Sequence, residues 1–535
     1  MSHTLSRYFR LQDHFFLLSA LSAALLILSF PGVSWGALGW IALVPFLMLV
    51  HSGIPGGRAA FCAFLTGVLF FGISLHWFLH VHFWAWFGVT VIESAFFALF
   101  GWMAYEAGRF KSPLLRIALT ASAWTAVELL RSEIPIFGLG WNLLAFTQSG
   151  SHSVLQFAEI AGAYGLGFVM AAVNASGVEI LNALRWILAS FSKSEDDGEL
   201  TQPLGWDRAK KVAGIMVLLI AIGLVFFLLL TFGRTRLETS EPYAKTVRIS
   251  VIQGNIPQEL KWNTAVREKI LEVYTKLTQL AQYDQPDLAV WPEASFPGYL
   301  NRDALSPVVM NLAASLQLPL LVGSCHLEGL DQAYNSAYLV DGLGEIRDRY
   351  DKQYLVPFGE YVPLKSVFGW LQPVADDLGI SDFRRGMAPR VLKMPNEESR
   401  FSVLICFEDV FANLARQAVD LGAEWLVVIT NDAWFGPTAA AHQHLQASVF
   451  RAVENGVPVV RAANTGISAF ISSRGIVSNR VKDRQGRDTF VTGKQTAAIQ
   501  LSDRTTLYRR GGWMFPYWAA GFALLLIVIR KIYCL

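Results

Sequence analysis

Long apolar segments alternate with one extended stretch of mixed polarity along the chain. Seven segments in the first half are each long enough, or nearly so, to cross a hydrocarbon core of about 30 Å. They cover 15–30, 36–50, 59–79, 84–107, 113–130, 163–188 and 212–232. An eighth segment covers 513–529, and the residues between are polar enough for a folded domain. The pattern predicts a bundle of seven spans in 1–232, a domain in 233–511 and an eighth span in 512–535.

Composition agrees with a membrane protein and excludes several functions. The chain has 535 residues, of which 53% are hydrophobic and 16% are charged, whereas soluble domains carry about 25% charged residues. The net charge is +2 and no basic patch is interleaved with aromatic residues, so a nucleic-acid partner is not expected. The four cysteines are scattered and without metal-ligand spacing, so neither a disulfide framework nor a metal site is predicted. No cofactor is expected.

The orientation follows from Lys and Arg in the short loops, which favour the cytoplasmic side. With a cytoplasmic N-terminus, all the loops rich in these residues fall on one side. They contain Arg7, Arg10, Arg58, Arg109, Lys111, Arg116, Arg185, Lys193, Arg208, Lys210, Lys211, Arg530 and Lys531. The loops near 31–35 and 80–83 contain none. The pattern predicts that 233–511 lies outside the cytoplasm, that the C-terminus is cytoplasmic, and that the first span is retained rather than cleaved.

Several residues of the predicted bundle are polar or aromatic. Glu93 lies within a span, where an ionisable group is costly, so it is expected to face the interior, without an assigned role. Trp77, Trp84 and Trp86 are expected at the outer interface, where amphipathic rings settle. Trp141, in "FGLGWN", is expected to anchor at this interface or, alternatively, to line a path for lipid.

Strand and helix patterns alternate through 233–511. Continuous apolar strands are predicted near 247–256, 287–293, 318–326, 401–406, 424–432 and 457–464, with two further strands at 334–341 and 346–352. Helices are predicted at 264–282, 303–316, 410–423 and 438–454. Strands that are apolar on both faces indicate an α/β domain whose sheet is covered on its faces.

Three reactive side chains follow predicted strands of this domain. Glu293 ends "LAVWPE", Lys352 follows "IRDRYD" and Cys406 follows "SVLI". Functional groups of such folds collect at the carboxyl ends of strands. A thiol needs a base to become a nucleophile, and a tetrahedral intermediate needs a cation near its oxyanion. Cys406 is therefore interpreted as a nucleophile; the alternative is a buried filler, because cysteine is among the most buried residue types.

Longer motifs carry a resemblance to a known family. "WPE" at 291–293, "DKQYLVPFGEYVP" at 351–363, "ICFED" at 405–409 and "RAVENGVPVVRAAN" at 451–464 resemble the nitrilase superfamily of carbon–nitrogen hydrolases. With "IQGNIPQELKW" at 252–262 and the eight spans, the whole chain is similar to the apolipoprotein N-acyltransferase family. The resemblance implies an αββα sandwich, and a Glu–Lys–Cys triad formed by Glu293, Lys352 and Cys406.

The same resemblance implies the reaction and the partners. An acyl chain would pass from a phospholipid, typically phosphatidylethanolamine, to a cysteine thioester. It would then pass to the α-amino group of the diacylglyceryl-cysteine at the N-terminus of an apolipoprotein. The implied setting is a monomer in the bacterial inner membrane, with the catalytic domain on the periplasmic side.

Further residues are supporting candidates because they match motifs of the family. Glu360 is expected to orient Lys352 or its substrate, and Glu408 to cap a helix or to act in the site. Glu454 is expected in an ion pair, with Arg451 as the candidate partner. Trp262 and Asn335 match family positions implicated in activity, and a packing role is the alternative for each. Phe407 stands where the family often has Tyr, and Trp141 is a candidate from its loop position alone. The loop 353–390 is interpreted as a lid or membrane-dipping arm, or alternatively as a surface loop.

Other interpretations are weaker. His442 and His444 are two apart on a predicted helix and point in different directions, so a shared metal ion is not expected. Cys62 and Cys325 are expected to be buried fillers. Two competing functions remain: a membrane-tethered amidase or nitrilase, and a non-catalytic transporter or scaffold.

Overall fold

The computed structural model describes residues 11–196, 204–239, 245–261, 263–363, 382–395 and 399–533. These residues form two compact units. The helical unit comprises 1–132, 142–238 and 512–535. The sheet unit comprises 133–141 and 239–511.

Apolar helices make up the helical unit. They are α1 Phe15–Ser29, α2 Val44–Val50, α3 Gly56–Ser74, α4 Phe83–Gly108, α5 Pro113–Glu133, α6 His152–Leu155, α7 Ala158–Asp196, α8 Leu204–Glu238 and a C-terminal helix Phe515–Tyr533. Within the described ranges, seven helical stretches are long and apolar enough to cross a membrane. They are Leu11–Ser29, Gly56–Ser74, Phe83–Gly108, Pro113–Glu133, Ala158–Ser190, Trp206–Glu238 and Gly512–Ile532.

The segment predicted as the second span has a different form. Gly36–Val50 is shorter than the seven spanning candidates and contains a 3-10 helix, Gly36–Trp40, followed by α2 with Pro45 in its first turn. Pro lacks an N–H and begins helices more readily than it continues them. The five residues of the 3-10 helix and the seven of α2 amount to about 20 Å of helix at rises of 2.0 and 1.5 Å per residue. The segment predicted as the second span is therefore formed by two short helices.

Charged side chains in the interior of the helical unit are paired. Glu93 and Arg131, each 1% exposed, form an ion pair with 3.1 Å between Oε2 and Nη1. This confirms that Glu93 faces the interior. Glu106 on α4 forms ion pairs with Arg530 and Lys531 of the C-terminal helix. Ion pairing reduces the cost of placing these groups among apolar helices.

The tryptophans expected at the outer interface differ in how far their side chains are exposed. Trp84 is 66% exposed, whereas Trp77 is 1% exposed. Trp77 stacks on Phe78 with 4.1 Å between the ring centroids. The ring of Trp77 is therefore buried in the protein, whereas that of Trp84 is exposed.

Two six-stranded sheets form the sheet unit. The first has the order β12-β1-β2-β3-β4-β5 and the second has the order β11-β10-β9-β8-β7-β6. Strands β1–β6 are Lys245–Gln253, Leu288–Val290, Leu320–Glu328, Gln332–Val340, Ile346–Asp351 and Val391–Lys393. Strands β7–β12 are Arg400–Ile405, Trp425–Thr430, Val459–Ala463, Ala469–Ile471, Val477–Ser478 and Gly493–Leu501.

Each sheet has three parallel strands at its centre, β1-β2-β3 in the first and β7-β8-β9 in the second. Antiparallel strands flank both sets. The carboxyl ends of the parallel strands meet at one edge of each sheet, which is where side chains that follow these strands lie close together.

The sheet unit also contains helices, and the four longer ones cover the outer faces of the two sheets. The helices are α9 Gln258–Lys261, α10 Arg267–Gln282, α11 Ser306–Leu316, α12 Ala412–Asp420 and α13 Ala440–Asn455. One apolar core packs the two sheets face to face, and a second core packs the first sheet against α10 and α11. Helices α12 and α13 contact β7 and β9 of the second sheet. The predicted αββα sandwich is confirmed.

The inter-sheet core generates a stability prediction for Trp425, which is fully buried and stacks on Phe401 at 4.6 Å. Trp425→Ala should lower the free energy of unfolding by about 3–5 kcal/mol, because it removes a large buried ring and leaves a cavity. The measurement is thermal unfolding of the purified protein in detergent, followed by near-ultraviolet circular dichroism. Trp434→Ala is the control, since Trp434 is 45% exposed and its loss should cost less than about 0.5 kcal/mol. Equal destabilisation by the two variants would contradict the packing.

Candidate active site

Three strand ends of the sheet unit bring the predicted triad together. Glu293 lies in the turn after β2, Lys352 directly follows β5, and Cys406 directly follows β7. Glu293 and Lys352 both act electrostatically on the thiol of Cys406, and Lys352 forms an ion pair with Glu293. The site is therefore assembled from both sheets.

Lys352 lies between two carboxylates. Its Nζ is 3.0 Å from Oε1 of Glu360 and 3.5 Å from Oε1 of Glu293. The amide of Asn335 donates to the same two oxygens, at 2.8 Å each. Burial alone would lower the pKa of Lys352, but Glu360 and Glu293 outweigh it and raise the pKa above its ordinary value. The ammonium is therefore charged throughout the physiological range.

Glu293 keeps one oxygen free. Its contacts with Asn335 and Lys352 are both made by Oε1. Its other oxygen, Oε2, accepts no hydrogen bond from the described residues. The side chain is largely buried, with 10% of it exposed. An unpaired carboxylate oxygen in a partly dry site is suited to take a proton from a neighbouring group.

Cys406 occupies a strained turn. Its φ is +54°, in the left-handed region that side chains other than Gly, Asn and Asp seldom adopt. The residue is half-buried and packs against the inter-sheet core. Burial raises the pKa of the thiol and Glu293 adds to the rise, whereas Lys352 and a hydrogen bond with Thr430 lower it. The resting group is accordingly a thiol, and it needs a base at the moment of reaction.

Glu408 ties this turn to the end of β5. Its Oε2 accepts the backbone N–H of Ile405 at 2.7 Å, and its Oε1 accepts those of Gln353 and Tyr354 at 2.6 and 3.1 Å. The hydroxyl of Tyr350 donates to both oxygens. Burial raises the pKa of Glu408 to about 7, although these donors oppose the rise. Glu408 thus caps the nucleophile turn, as one of its two expected roles required, and also fixes the residues that follow the lysine.

A buried cluster of four charged side chains lies behind the same turn. His444 is 2.9 Å from Asp409 through Nε2 and 2.9 Å from Asp432 through Nδ1. Arg461 contacts the same two carboxylates, at 3.0 and 3.3 Å. His444 also donates to the carbonyl oxygen of Cys406 at 3.3 Å. Burial and Arg461 lower the pKa of His444, but Asp409 and Asp432 outweigh them and raise it to about 9.

This charge cluster was not predicted, although its residues were visible. Asp409 belongs to "ICFED", and His444 to the "HQH" stretch that was considered only as a metal site. Within the described part of the chain, no group of His, Cys, Asp and Glu could hold a metal ion. The sequence signal for this cluster was the presence of polar residues that follow, or face, the ends of the strands.

Gly323 was also missed. A Cβ at this position of β3 would lie 2.1 Å from the carbonyl oxygen of Pro292 and 2.8 Å from Cα of Glu293. Only glycine allows the strand to pass so close to the turn that holds Glu293. A glycine inside an apolar strand pattern is the sequence signal for such an approach.

The other predicted residues lie in different settings. Glu454 forms a buried ion pair with Arg451 at 3.1 Å, as expected. Phe407 packs edge-on against Phe411, with 5.0 Å between ring centroids. Trp262 and residues 364–381 of the expected lid lie outside the described residues. Cys62 and Cys325 are buried, as expected.

Trp141 is buried rather than interfacial. It is 4% exposed, donates from Nε1 to Gln443 at 3.0 Å, and packs on the ring of His444 with 5.0 Å between centroids. An interfacial anchor would leave its ring exposed, so that expectation is wrong for this residue.

Comparisons with known proteins agree with this architecture. A family model described as carbon-nitrogen hydrolase matches residues 248–509. A model described as apolipoprotein N-acyltransferase N-terminal domain matches residues 22–176. An amidase of the nitrilase superfamily from Nesterenkonia is a structural neighbour, with 20% identity, a TM-score of 0.38 and coverage of 52% of this chain and 100% of that chain. Because the carbon-nitrogen hydrolase model covers most of the sheet unit, this unit is a carbon–nitrogen hydrolase domain.

Two relatives extend the likeness to the whole chain. The apolipoprotein N-acyltransferase of Geobacter metallireducens is 33% identical over 517 residues, covering 94% of this chain and 92% of the relative. That of Nitrosomonas europaea is 30% identical over 489 residues, with 88% of each chain covered. The chain belongs to the apolipoprotein N-acyltransferase family and is therefore an enzyme, an N-acyltransferase.

The charge cluster generates a pH-dependent stability prediction. The pKa of His444 is raised from 6.5 to about 9, so its stabilising contribution is full below about pH 6.5 and is lost as pH rises through about 9. His444→Gln should therefore lower the melting temperature strongly at pH 7 and much less at pH 10.

The measurement is the melting temperature of the purified protein across this range. His442→Gln is the control, because burial lowers the pKa of His442 and that side chain stays neutral above pH 7. If the difference in melting temperature between wild type and His444→Gln did not decrease toward pH 10, the result would contradict a charged imidazole at His444.

Proposed function

We propose that Glu293, Lys352 and Cys406 carry out the acyl transfer of this family in two steps, through a thioester on Cys406. Glu293 first takes the proton of the thiol, and Sγ attacks the ester carbonyl carbon of a phospholipid. The C–O bond breaks, Glu293 returns the proton to the leaving oxygen, and a lysophospholipid departs. Dividing one difficult transfer into two easier steps is the general benefit of a covalent intermediate.

The second step passes the acyl group to the lipoprotein. The α-amino group of the acceptor's N-terminal diacylglyceryl-cysteine attacks the thioester carbon. Glu293 takes the proton of the amine and returns it to Sγ as the C–S bond breaks. Proton transfer by a positioned group contributes a factor of roughly 10²–10⁴ in rate. The free Oε2 of Glu293 is the observation that carries this role, since Oε1 is already occupied.

Lys352 is assigned to the oxyanion of both tetrahedral intermediates. The two carboxylates around it fix its position and keep it charged. One preorganised donor to an oxyanion is worth about 3 kcal/mol. Glu360 and Asn335 are assigned to positioning this lysine, because both contact the same oxygen network.

Phosphatidylethanolamine is the proposed donor, and the donor stays in the bilayer during transfer. Burying a methylene group is worth about 0.8 kcal/mol, so exposing a 16-carbon chain to water would cost on the order of 12 kcal/mol. Tyr354 and Phe358, 36% and 40% exposed, follow Lys352 in sequence and offer apolar surface for this chain.

The proposed setting is a monomer in the bacterial inner membrane, with both termini cytoplasmic and residues 233–511 in the periplasm. The asymmetry of Lys and Arg between loops supports this orientation. It counts 36–50, which forms two short helices, as a crossing segment. A tethered amidase and a non-catalytic scaffold are not favoured, since the whole chain belongs to an acyltransferase family.

An acyl-enzyme assay tests the triad. Wild type incubated with phosphatidylethanolamine labelled in its acyl chain should gain one acyl mass on Cys406, removable by neutral hydroxylamine. Glu293→Gln should slow this gain by at least about 100-fold, because the thiol loses its base. Cys406→Ala and Cys406→Ser should gain no thioester. Mass analysis of the intact protein is the measurement, and Cys62→Ala, in the helical unit, is the control that should label normally.

A folded Cys406→Ala variant that still acylates a lipoprotein N-terminus would contradict the nucleophile. Faster labelling from another headgroup class would replace phosphatidylethanolamine as the donor without affecting the triad.

Reporter fusions test the orientation. An enzyme that is active only outside the cytoplasm should work when inserted at an exposed turn of the sheet unit, such as Gly486, and fail when fused after Leu535. The Lys and Arg asymmetry is the physical reason. Reporter activity in whole cells, normalised to fusion abundance, is the measurement, and the reverse pattern would contradict the proposed side.

A further inference from the structure

A second buried lysine reaches the active site and has no role in the steps above. Lys261 ends the short helix α9, and 2% of it is exposed. Its Nζ donates to the backbone carbonyl oxygen of Glu293 at 2.8 Å. In the described part of the chain this carbonyl is its only hydrogen-bond partner.

The surroundings of Lys261 are unusual for a buried cation. Buried lysines generally pair with a carboxylate or lose their charge, whereas this one contacts a neutral carbonyl. Glu293 after β2 is the acidic group that acts on it most, and the thiols of Cys325 on β3 and Cys406 after β7 add to this effect only when they are ionised. Burial lowers the pKa of Lys261 to about 8, and Glu293 opposes the decrease. The ammonium is thus the major form at neutral pH, at a cost in desolvation.

The charges of the site show what this cation supplies. Glu293 and Glu360 carry two negative charges, and Lys352 between them carries one positive charge. Together with the neutral thiol of Cys406, these three side chains sum to −1. Moving the proton of Cys406 to Glu293 leaves the sum of the four side chains at −1 and places negative charge on sulfur. One further positive charge would make this set of side chains neutral. Lys261 is a cation that contacts the turn of Glu293.

We propose that Lys261 is a positioning residue of the acyl transfer, a second active-site cation that holds the turn of Glu293 and offsets negative charge when the Cys406 thiolate forms. The proposal rests on the roles given above to Glu293 and Cys406. Lys261 neither gains nor loses a proton in this step: the proton moves from Sγ of Cys406 to the carboxylate of Glu293. An opposite charge nearby favours the ionised form of an acid, so removing Lys261 should raise the pKa of the thiol.

Alkylation of Cys406 by iodoacetamide tests the proposal without lipid or lipoprotein, because the thiolate is the reactive form. The rate is measured on the full chain in detergent, by mass analysis of the peptide containing Cys406, from pH 6 to pH 10. At pH 7, Lys261→Met should react at least tenfold more slowly than wild type. This ratio should fall toward one as pH rises through about 8, where wild-type Lys261 loses its charge.

Two further variants separate charge from packing. Lys261→Gln keeps an N–H donor without the charge and should react as slowly as Lys261→Met. Lys276→Met removes an exposed lysine of α10 that pairs with Glu272 and should react like wild type. A Lys261→Gln variant that reacts like wild type, or a ratio for Lys261→Met that is near one or independent of pH, would overturn the proposal.

Glu293→Gln distinguishes failure of this inference from failure of the proposed function. Slower alkylation in Glu293→Gln with unchanged alkylation in Lys261→Met would overturn the second cation alone. Unchanged alkylation in both variants would overturn the Glu293–Cys406 pair as well.

Discussion

The active site depends on one carboxylate that joins two sheets. Glu408 accepts the N–H of Ile405 at the end of β7 and those of Gln353 and Tyr354 after β5. Because β5 and β7 belong to different sheets, this carboxylate sets the distance between the lysine and the cysteine. The hydroxyl of Tyr350 donates to the same carboxyl group, so several buried hydrogen bonds converge on it and hold the two strand ends together.

The turn that contains Cys406 is also held by the buried cluster of four charged side chains. A left-handed residue other than glycine costs about 1–3 kcal/mol, and Cys406 is in that conformation. His444 donates to its carbonyl oxygen while bridging Asp409 and Asp432. Two carboxylates, one imidazolium and one guanidinium sum to zero. The cluster can therefore fix the backbone without adding a net charge near the thiol.

Much of this site follows from sequence, because Glu293, Lys352 and Cys406 stand directly after strands whose apolar runs are easy to recognise. The charge cluster does not follow, since Asp409 and His444 are 35 residues apart and meet only through packing of α13. The form of Gly36–Val50 was missed for another reason. Hydropathy measures the composition of a segment, and the break at Pro45 is a matter of backbone geometry. Burial of Trp141 likewise depends on neighbours distant in sequence, Gln443 and His444.

The ion pairs of the helical unit impose an order on biosynthesis. Glu93 finds Arg131 only 38 residues later, on the next long helix. Glu106 and Arg530 are separated by 424 residues, which take roughly 20–80 s to synthesise at about 5–20 residues per second. During that interval α4 resides in the membrane with an acid lacking its eventual partners. The C-terminal helix is therefore the closing element of assembly, and truncation before Arg530 would leave a finished catalytic domain on an unfinished bundle.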